Sequence, residues 1–132
     1  MKLKYLWLIL LLALAACDSD RINKDANPLH LPPADLQVDA VKGKALFEQN
    51  CQGCHGVQAA GTDKGPPLVN KIYRPAHHAN LAFHLAVKNG VRAHHWSFGD
   101  MPPQPQVSPE DAAHILQYIR QLQVDAGIFE PK

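Results

Sequence analysis

The chain has 132 residues, with 13 Lys+Arg against 12 Asp+Glu and a formal charge of +1. That length supports one small domain rather than two. The near-neutral balance lacks the strong basic face that nucleic-acid binding requires, so no nucleic-acid partner is expected.

The N-terminus reads as an export signal. Lys2 and Lys4 supply a positive start, and Leu6 to Ala16 are nearly all apolar, a stretch too short to span a bilayer comfortably. It ends in Leu14-Ala15-Ala16-Cys17, which resembles the bacterial lipobox. In that motif the cysteine is lipidated and becomes the first mature residue. An ordinary cleaved signal with an incidental Cys17 is one competing reading, and an uncleaved membrane anchor is another. Asp18 follows directly, and aspartate at that place resembles an inner-membrane retention signal of enterobacterial lipoproteins. Residues 17–37 are expected to form a polar, proline-rich tether, with Asn27-Pro28 and Pro32-Pro33 favouring extended chain. Leu29, Leu31 and Leu36 could pack part of that arm on the domain. The domain itself is expected over 38–128, with 129–132 as a tail. Without Lys2 and Lys4 the balance becomes 11 basic against 12 acidic residues, a formal charge of −1.

Three stretches then read as helix. The first is predicted from about Asp39 to Gln49, with Asp39 as N-cap. Val41, Ala45, Leu46 and Gln49 fall near one face, and Gly43 and Phe47 share a stripe. Immediately after comes Cys51-Gln52-Gly53-Cys54-His55. Two cysteines three apart, followed by histidine, form the attachment motif for c-type haem. One helical turn separates the thiols, so each can add to one vinyl group of the same porphyrin edge, and the next imidazole can reach the iron. A zinc site would need a second Cys or His pair at matching spacing, and the remaining cysteine is Cys17. A redox dithiol would sit near a βαβ pattern, and none follows. The cysteine count agrees with both motifs. Two thiols would hold haem and the third lipid, leaving none stray in an oxidising compartment.

Val69 to Tyr73 could be a short extended piece. The second helix is predicted from about Asn80 to Asn89, with Leu81/Leu85 and Phe83/Val87 as apolar pairs and Gly90 as its stop. The third has the strongest signals. Ser108 suits the N-cap, Pro109 suits N1, and Glu110 and Asp111 complement the helix dipole. Ala112, Ile115, Ile119 and Leu122 repeat at helical spacing beside Tyr118, and Gly127 lies beyond the end.

From about Val38 to Gln123 this pattern resembles the class I cytochromes c. The resemblance implies an all-α, small cytochrome c fold, with three main helices and loops wrapped around one covalently bound haem c. In that family the first and last helices cross at a glycine and two aromatics, positions matched by Gly43, Phe47 and Tyr118. Cys51 and Cys54 then hold the haem covalently, and His55 is the proximal iron ligand. Gly65-Pro66-Pro67-Leu68 matches a family motif in which the proline carbonyl, here that of Pro66, accepts the imidazole Nδ1–H. Leu68 matches a side chain packed on the ring. Gly99-Asp100-Met101-Pro102-Pro103 matches the distal-ligand loop, with Met101 as a soft sulfur donor that raises the reduction potential. His94 and His95 are the rival distal ligands. Trp96, Tyr73 and Arg92 or Arg74 are candidates to contact the propionates, and Trp96 is equally suited to the core.

Haem with both axial positions filled implies a one-electron carrier cycling between Fe(III) and Fe(II), not an enzyme. The alternative is a haem subunit of a periplasmic oxidoreductase, or a ligand-binding sensor whose distal ligand dissociates. Expected partners are redox proteins of a respiratory chain, with donor and acceptor open. The expected location is the periplasmic face of the inner membrane, held by the lipid anchor. Lys42, Lys44, Lys64 and Lys71 could form a docking rim. His77, His78, His84, His94 and His95 make the chain histidine-rich, and imidazole suits copper. Paired histidines without supporting carboxylates are more often simply exposed, so a second metal is not the expectation from sequence.

Overall fold

A computed structural model describes residues 27–128. The signal segment, Cys17 and residues 129–132 lie outside the described residues. Four α-helices occur in the described part: α1 (Ala40–Asn50), α2 (Gln52–His55), α3 (Asn80–Asn89) and α4 (Pro109–Asp125). Short 3₁₀ turns occupy Val57–Ala59 and Lys71–Tyr73. The segment expected to be extended between Val69 and Tyr73 is therefore partly a tight turn, started by Asn70, whose side chain accepts from the Ile72 backbone N–H. Among the described residues β structure is limited to one isolated antiparallel bridge, Val91 with Met101.

Local chemistry sets the helix ends. The Asp39 carboxylate caps α1 by accepting from the Val41 and Lys42 backbone N–H groups. Ser108 caps α4 by accepting from Asp111 N–H, with Pro109 at the position where a missing N–H costs nothing. Gly90 ends α3 at φ +74°, a conformation that residues with a Cβ seldom adopt.

The core lies where α1 crosses α4. Phe47 is fully buried and meets the Tyr118 ring at 5.6 Å between centroids. A Cβ on Gly43 would run into the His114 carbonyl of α4, so the glycine is what lets the two backbones touch. The start of α1 is also tied down, because Asp39 N–H donates to His114 Nδ1 at 2.9 Å. This corrects the face read from sequence. Val41 is 80% exposed, and Ala45 and Gln49 are exposed too. Close approach requires the smallest residue at the crossing, so the stripe that turns inward is Gly43 and Phe47, with Leu46 half-buried.

Helix α3 also differs in detail. Leu81 is exposed, whereas His84 is buried with an unpartnered Nδ1. Burial holds the His84 pKa below its ordinary value and the ring neutral. The segment before α1 lies along the domain, with Leu36 half-buried. Leu29 and Leu31 remain exposed, while His30 Nε2 bonds the Val107 carbonyl at 3.1 Å and Lys88 Nζ donates to the Asn27 carbonyl at 2.8 Å.

Gly→Ala in an open helix position gains about 1 kcal/mol of propensity. At Gly43 the sign should reverse. Forcing α1 and α4 apart should cost about 1–3 kcal/mol net, measured as a lowered denaturant midpoint of the haem-loaded protein. A Gly43→Ala variant at least as stable as the parent would remove this crossing as the organising contact.

Candidate functional site

An apolar cavity of about 440 Å³ opens between α1–α2, α3 and α4. A domain this small does not leave such a volume without a ligand to fill it, because protein interiors pack densely. Leu68, Phe83, Val87, Val107, Ile115 and Ile119 supply much of the wall. Cys51 and Cys54 border it from the α1–α2 junction, with Cys51 half-buried and Cys54 exposed. Burial, with a lesser push from Cys54, raises the Cys51 thiol to about 11. A redox-active dithiol works through a depressed thiol pKa, so Cys51 is poorly suited to disulfide exchange. Two thiols at the edge of an apolar slot suit permanent thioether bonds.

His55 lines the same cavity. Its Nδ1–H donates to the Pro66 carbonyl at 2.9 Å. A carbonyl can only accept, so the proton is on Nδ1 and Nε2 keeps the free lone pair. Burial lowers the His55 pKa, and the Pro66 bond opposes part of that shift. The Pro66 turn is held close beneath the motif, since Gly65 packs against the Cys54 backbone.

Met101 lines the cavity as well. Its backbone is held at both ends: Met101 N–H donates to the Val91 carbonyl and Val91 N–H to the Met101 carbonyl, each at 2.9 Å. Asp100 Oδ1 accepts from Ala93 N–H at 2.8 Å, and Gln104 N–H donates to the Val87 carbonyl at 2.8 Å. A Cβ on Gly90 would collide with the Met101 carbonyl, so that glycine is required by the clamp as well as by its own φ. His94 and His95 border the cavity mouth and are exposed. His94 Nδ1 turns back to the Arg92 carbonyl at 2.8 Å.

Trp96 and Tyr73 come together, the indole N–H donating to the Tyr73 hydroxyl at 3.2 Å. Both border the cavity, whereas Arg74 and Arg92 do not. Arg74 instead donates to the Lys71 carbonyl. Lys64 borders the cavity, but Lys44 pairs with Glu48 at 3.1 Å and Lys42 lies 3.8 Å from Asp111. The expected rim of four lysines is thus divided, with two engaged on the outer face of the α1 region.

Sequence reading missed Arg120 and Gln123. The Arg120 guanidinium donates to the Tyr73 and His78 carbonyls, each at 2.7 Å, to Asn80 Oδ1 at 3.1 Å and to Gln123 Oε1 at 2.7 Å. Gln123 is fully buried, and its amide N–H₂ reaches the Leu68 carbonyl at 2.8 Å. Together they pin the irregular 68–80 segment to α4. Their signal was a polar pair in helical phase with Leu116, on the inner side of a strongly amphipathic helix.

An all-α shell around an apolar slot, with paired thiols and an imidazole on one edge, defines a covalent haem domain. The cytochrome c family model matches residues 40–123, and the chain belongs to that family of haem electron carriers. It is 34% identical over 89 residues to a cytochrome c-553-like protein of Synechocystis sp., covering 66% of this chain and 72% of that protein. It is 28% identical over 99 residues to the cbb3-type cytochrome c oxidase subunit CcoP of Rubrivivax gelatinosus, and 30% identical over 93 residues to cytochrome c oxidase subunit 2 of Alkalihalophilus pseudofirmus. These matches span 30% and 26% of the two oxidase subunits. No solved structure matches at the same stringency. The cofactor is haem c, and Cys51 and Cys54 stand in the family's attachment arrangement.

Arg120→Ala would strand several carbonyls that now receive charged donors. The expected loss is about 3 kcal/mol or more, read from denaturant unfolding of the haem-loaded protein. Lys at this position should recover only part of it, because an ammonium cannot reproduce the planar fork. A near-neutral Arg120→Ala would show that α4 does not hold the 68–80 segment.

Proposed function

We propose that this protein is a membrane-anchored, periplasmic one-electron carrier whose haem iron is held between His55 and Met101. The observation that carries the reading is the placement of both side chains on one apolar cavity, with Met101 clamped through its backbone to Val91. When bound, the haem supplies an iron that cycles between Fe(III) and Fe(II). The chain's own contribution is to keep both ligands in place through the cycle. Pro66 orients the imidazole and strengthens it as a donor, because its carbonyl draws on the Nδ1 proton. Met101 offers a neutral sulfur, which favours the lower charge of Fe(II). Prolines at 102, 103 and 105 stiffen the following loop, so a weak ligand is held at lower entropic cost. The apolar wall excludes water from the iron and further disfavours the extra positive charge.

The proposed partners are redox proteins of a respiratory chain, a reading supported by the resemblance to two oxidase subunits. The exposed mouth near Cys54 suits a small, transient contact with such a partner. The proposed anchor is a lipid on Cys17 at the inner membrane, supported by the signal and lipobox pattern in the sequence. Within the expected 17–37 tether, Asn27 and His30 are bonded to the domain over 38–128, so that part adds no reach. Among the described residues no helix is long and apolar enough to cross a membrane.

Met101→Ala should abolish the near-infrared sulfur-to-ferric-iron band. It should also lower the midpoint potential by on the order of 0.1 V, within the roughly 0.8 V that axial ligands control. An unchanged spectrum and potential would assign the distal position to another residue. For the anchor, Cys17→Ser should move the protein from the membrane to the soluble periplasmic fraction. Continued sedimentation with membranes would point to an uncleaved helix or a bound partner.

A further inference from the structure

Three imidazoles converge at the mouth of the cavity. His77 and His78 precede α3, and His95 lies in the loop leading to Met101. One ring nitrogen from each lies within 4.8 Å of those of the other two. The arrangement rests on fixed parts of the fold. The His78 carbonyl receives Arg120 Nη2 at 2.7 Å, and Trp96, next to His95, is bonded to Tyr73. His78 Nδ1 bonds the Ile72 carbonyl at 2.8 Å, which places its proton there and leaves Nε2 as the lone-pair donor. A backbone carbonyl on the far nitrogen is the support that metal-binding histidines ordinarily use. His77 and His95 are exposed and free to adjust. Imidazole nitrogens about 2.0–2.1 Å from a tetrahedral ion lie about 3.4 Å apart, so small side-chain rotations close the site.

Apart from the His78–Ile72 bond, no hydrogen bond reaches these rings among the described residues. Among the described residues no carboxylate pairs with any of the three. The rings crowd one another instead, with centroids at 4.8 Å for His77–His78 and 5.3 Å for both His77–His95 and His78–His95. Crowded imidazoles without a counter-charge gain little from each other. A cation that accepts three lone pairs resolves the crowding.

We propose that His77, His78 and His95 form a surface site for one divalent late transition-metal ion, with Cu²⁺ bound more tightly than Zn²⁺. Neutral nitrogen donors select these ions over Mg²⁺ or Ca²⁺, and copper leads the ordinary affinity series. The fourth position faces solvent and takes water. His94, its ring 4.3 Å from His95, stands beside the site. The ion would be a second metal at the rim of the haem cavity, since His78 and His95 both border it. The site is distinct from the iron ligands His55 and Met101 and rests on that assignment, since His95 cannot serve both metals.

The test uses untagged, chelator-stripped protein with ferric haem in place, titrated separately with Cu²⁺ and Zn²⁺ by calorimetry. Expected are one Cu²⁺ per chain, nitrogen hyperfine structure in its electron paramagnetic resonance spectrum, and weaker competition by Zn²⁺. In His77→Ala/His95→Ala the copper affinity should fall about 100-fold or more while the haem spectrum stays unchanged. Both substituted residues are exposed, so the fold should survive, and an unchanged melting temperature checks this. Equal affinity in parent and variant, or less than one equivalent bound by the parent, would overturn the proposal. So would a parent that takes up no copper and a double variant whose haem spectrum or midpoint potential shifts. That result would give the cluster to the haem propionates.

Discussion

The contact between the α1 backbone at Gly43 and the His114 carbonyl of α4 is the constraint from which the rest of the structure follows. It lets two helices approach more closely than any side chain would permit. Phe47 and Tyr118 then close over the crossing, and His114 receives the N–H of Asp39, the N-cap of α1. Because the thiol motif begins at the next residue after α1, its position is inherited from that crossing. The face of α4 that carries Ile115 and Ile119 lines the same cavity. The slot therefore has a width set by backbone, with little freedom to collapse.

A second tier of interactions holds the irregular chain. Loops around an apolar slot cannot satisfy their own carbonyls as helices do, and buried carbonyls need donors. Arg120 and Gln123 supply them from α4, bonding to Leu68, Tyr73 and His78. On the other side, the Val91–Met101 bridge and the Asp100 side chain hold the Met101 loop against the end of α3. Both walls are thus organised by polar bonds to regular elements, while the lining stays apolar. For a protein that passes electrons, this is a useful division. Rigid walls keep nuclear rearrangement small, and a dry lining limits the reorganisation of solvent.

The histidines divide by environment more than by residue type. His55 is oriented by a carbonyl within the cavity, His84 is buried and neutral in α3, and His114 braces the helix crossing. His77, His78 and His95 instead meet at the rim without a carboxylate among the described residues. One chain thus uses imidazole as a lone-pair donor at the cavity, as core filler, as helix brace and as a cluster open to solvent.

Short-range features were legible in the sequence because their causes are local. The attachment motif follows from two vinyl groups one helical turn apart, and the caps at Asp39 and Ser108 follow from orphan N–H groups at helix starts. The Gly43, Phe47 and Tyr118 crossing and the all-α class were accessible through the family resemblance. Apolar periodicity alone did not show which side of α1 faced inward, since Val41 and Ala45 are apolar but the tight crossing admits only glycine. Arg120, Gln123 and the meeting of His77, His78 and His95 were also hidden. Each joins positions far apart in the chain, and only packing decides which loop carbonyls and which imidazoles end up within bonding distance. The sequence by itself determined the cofactor and the helices that flank it; the tertiary structure alone decided how the loops are pinned and what gathers at the rim.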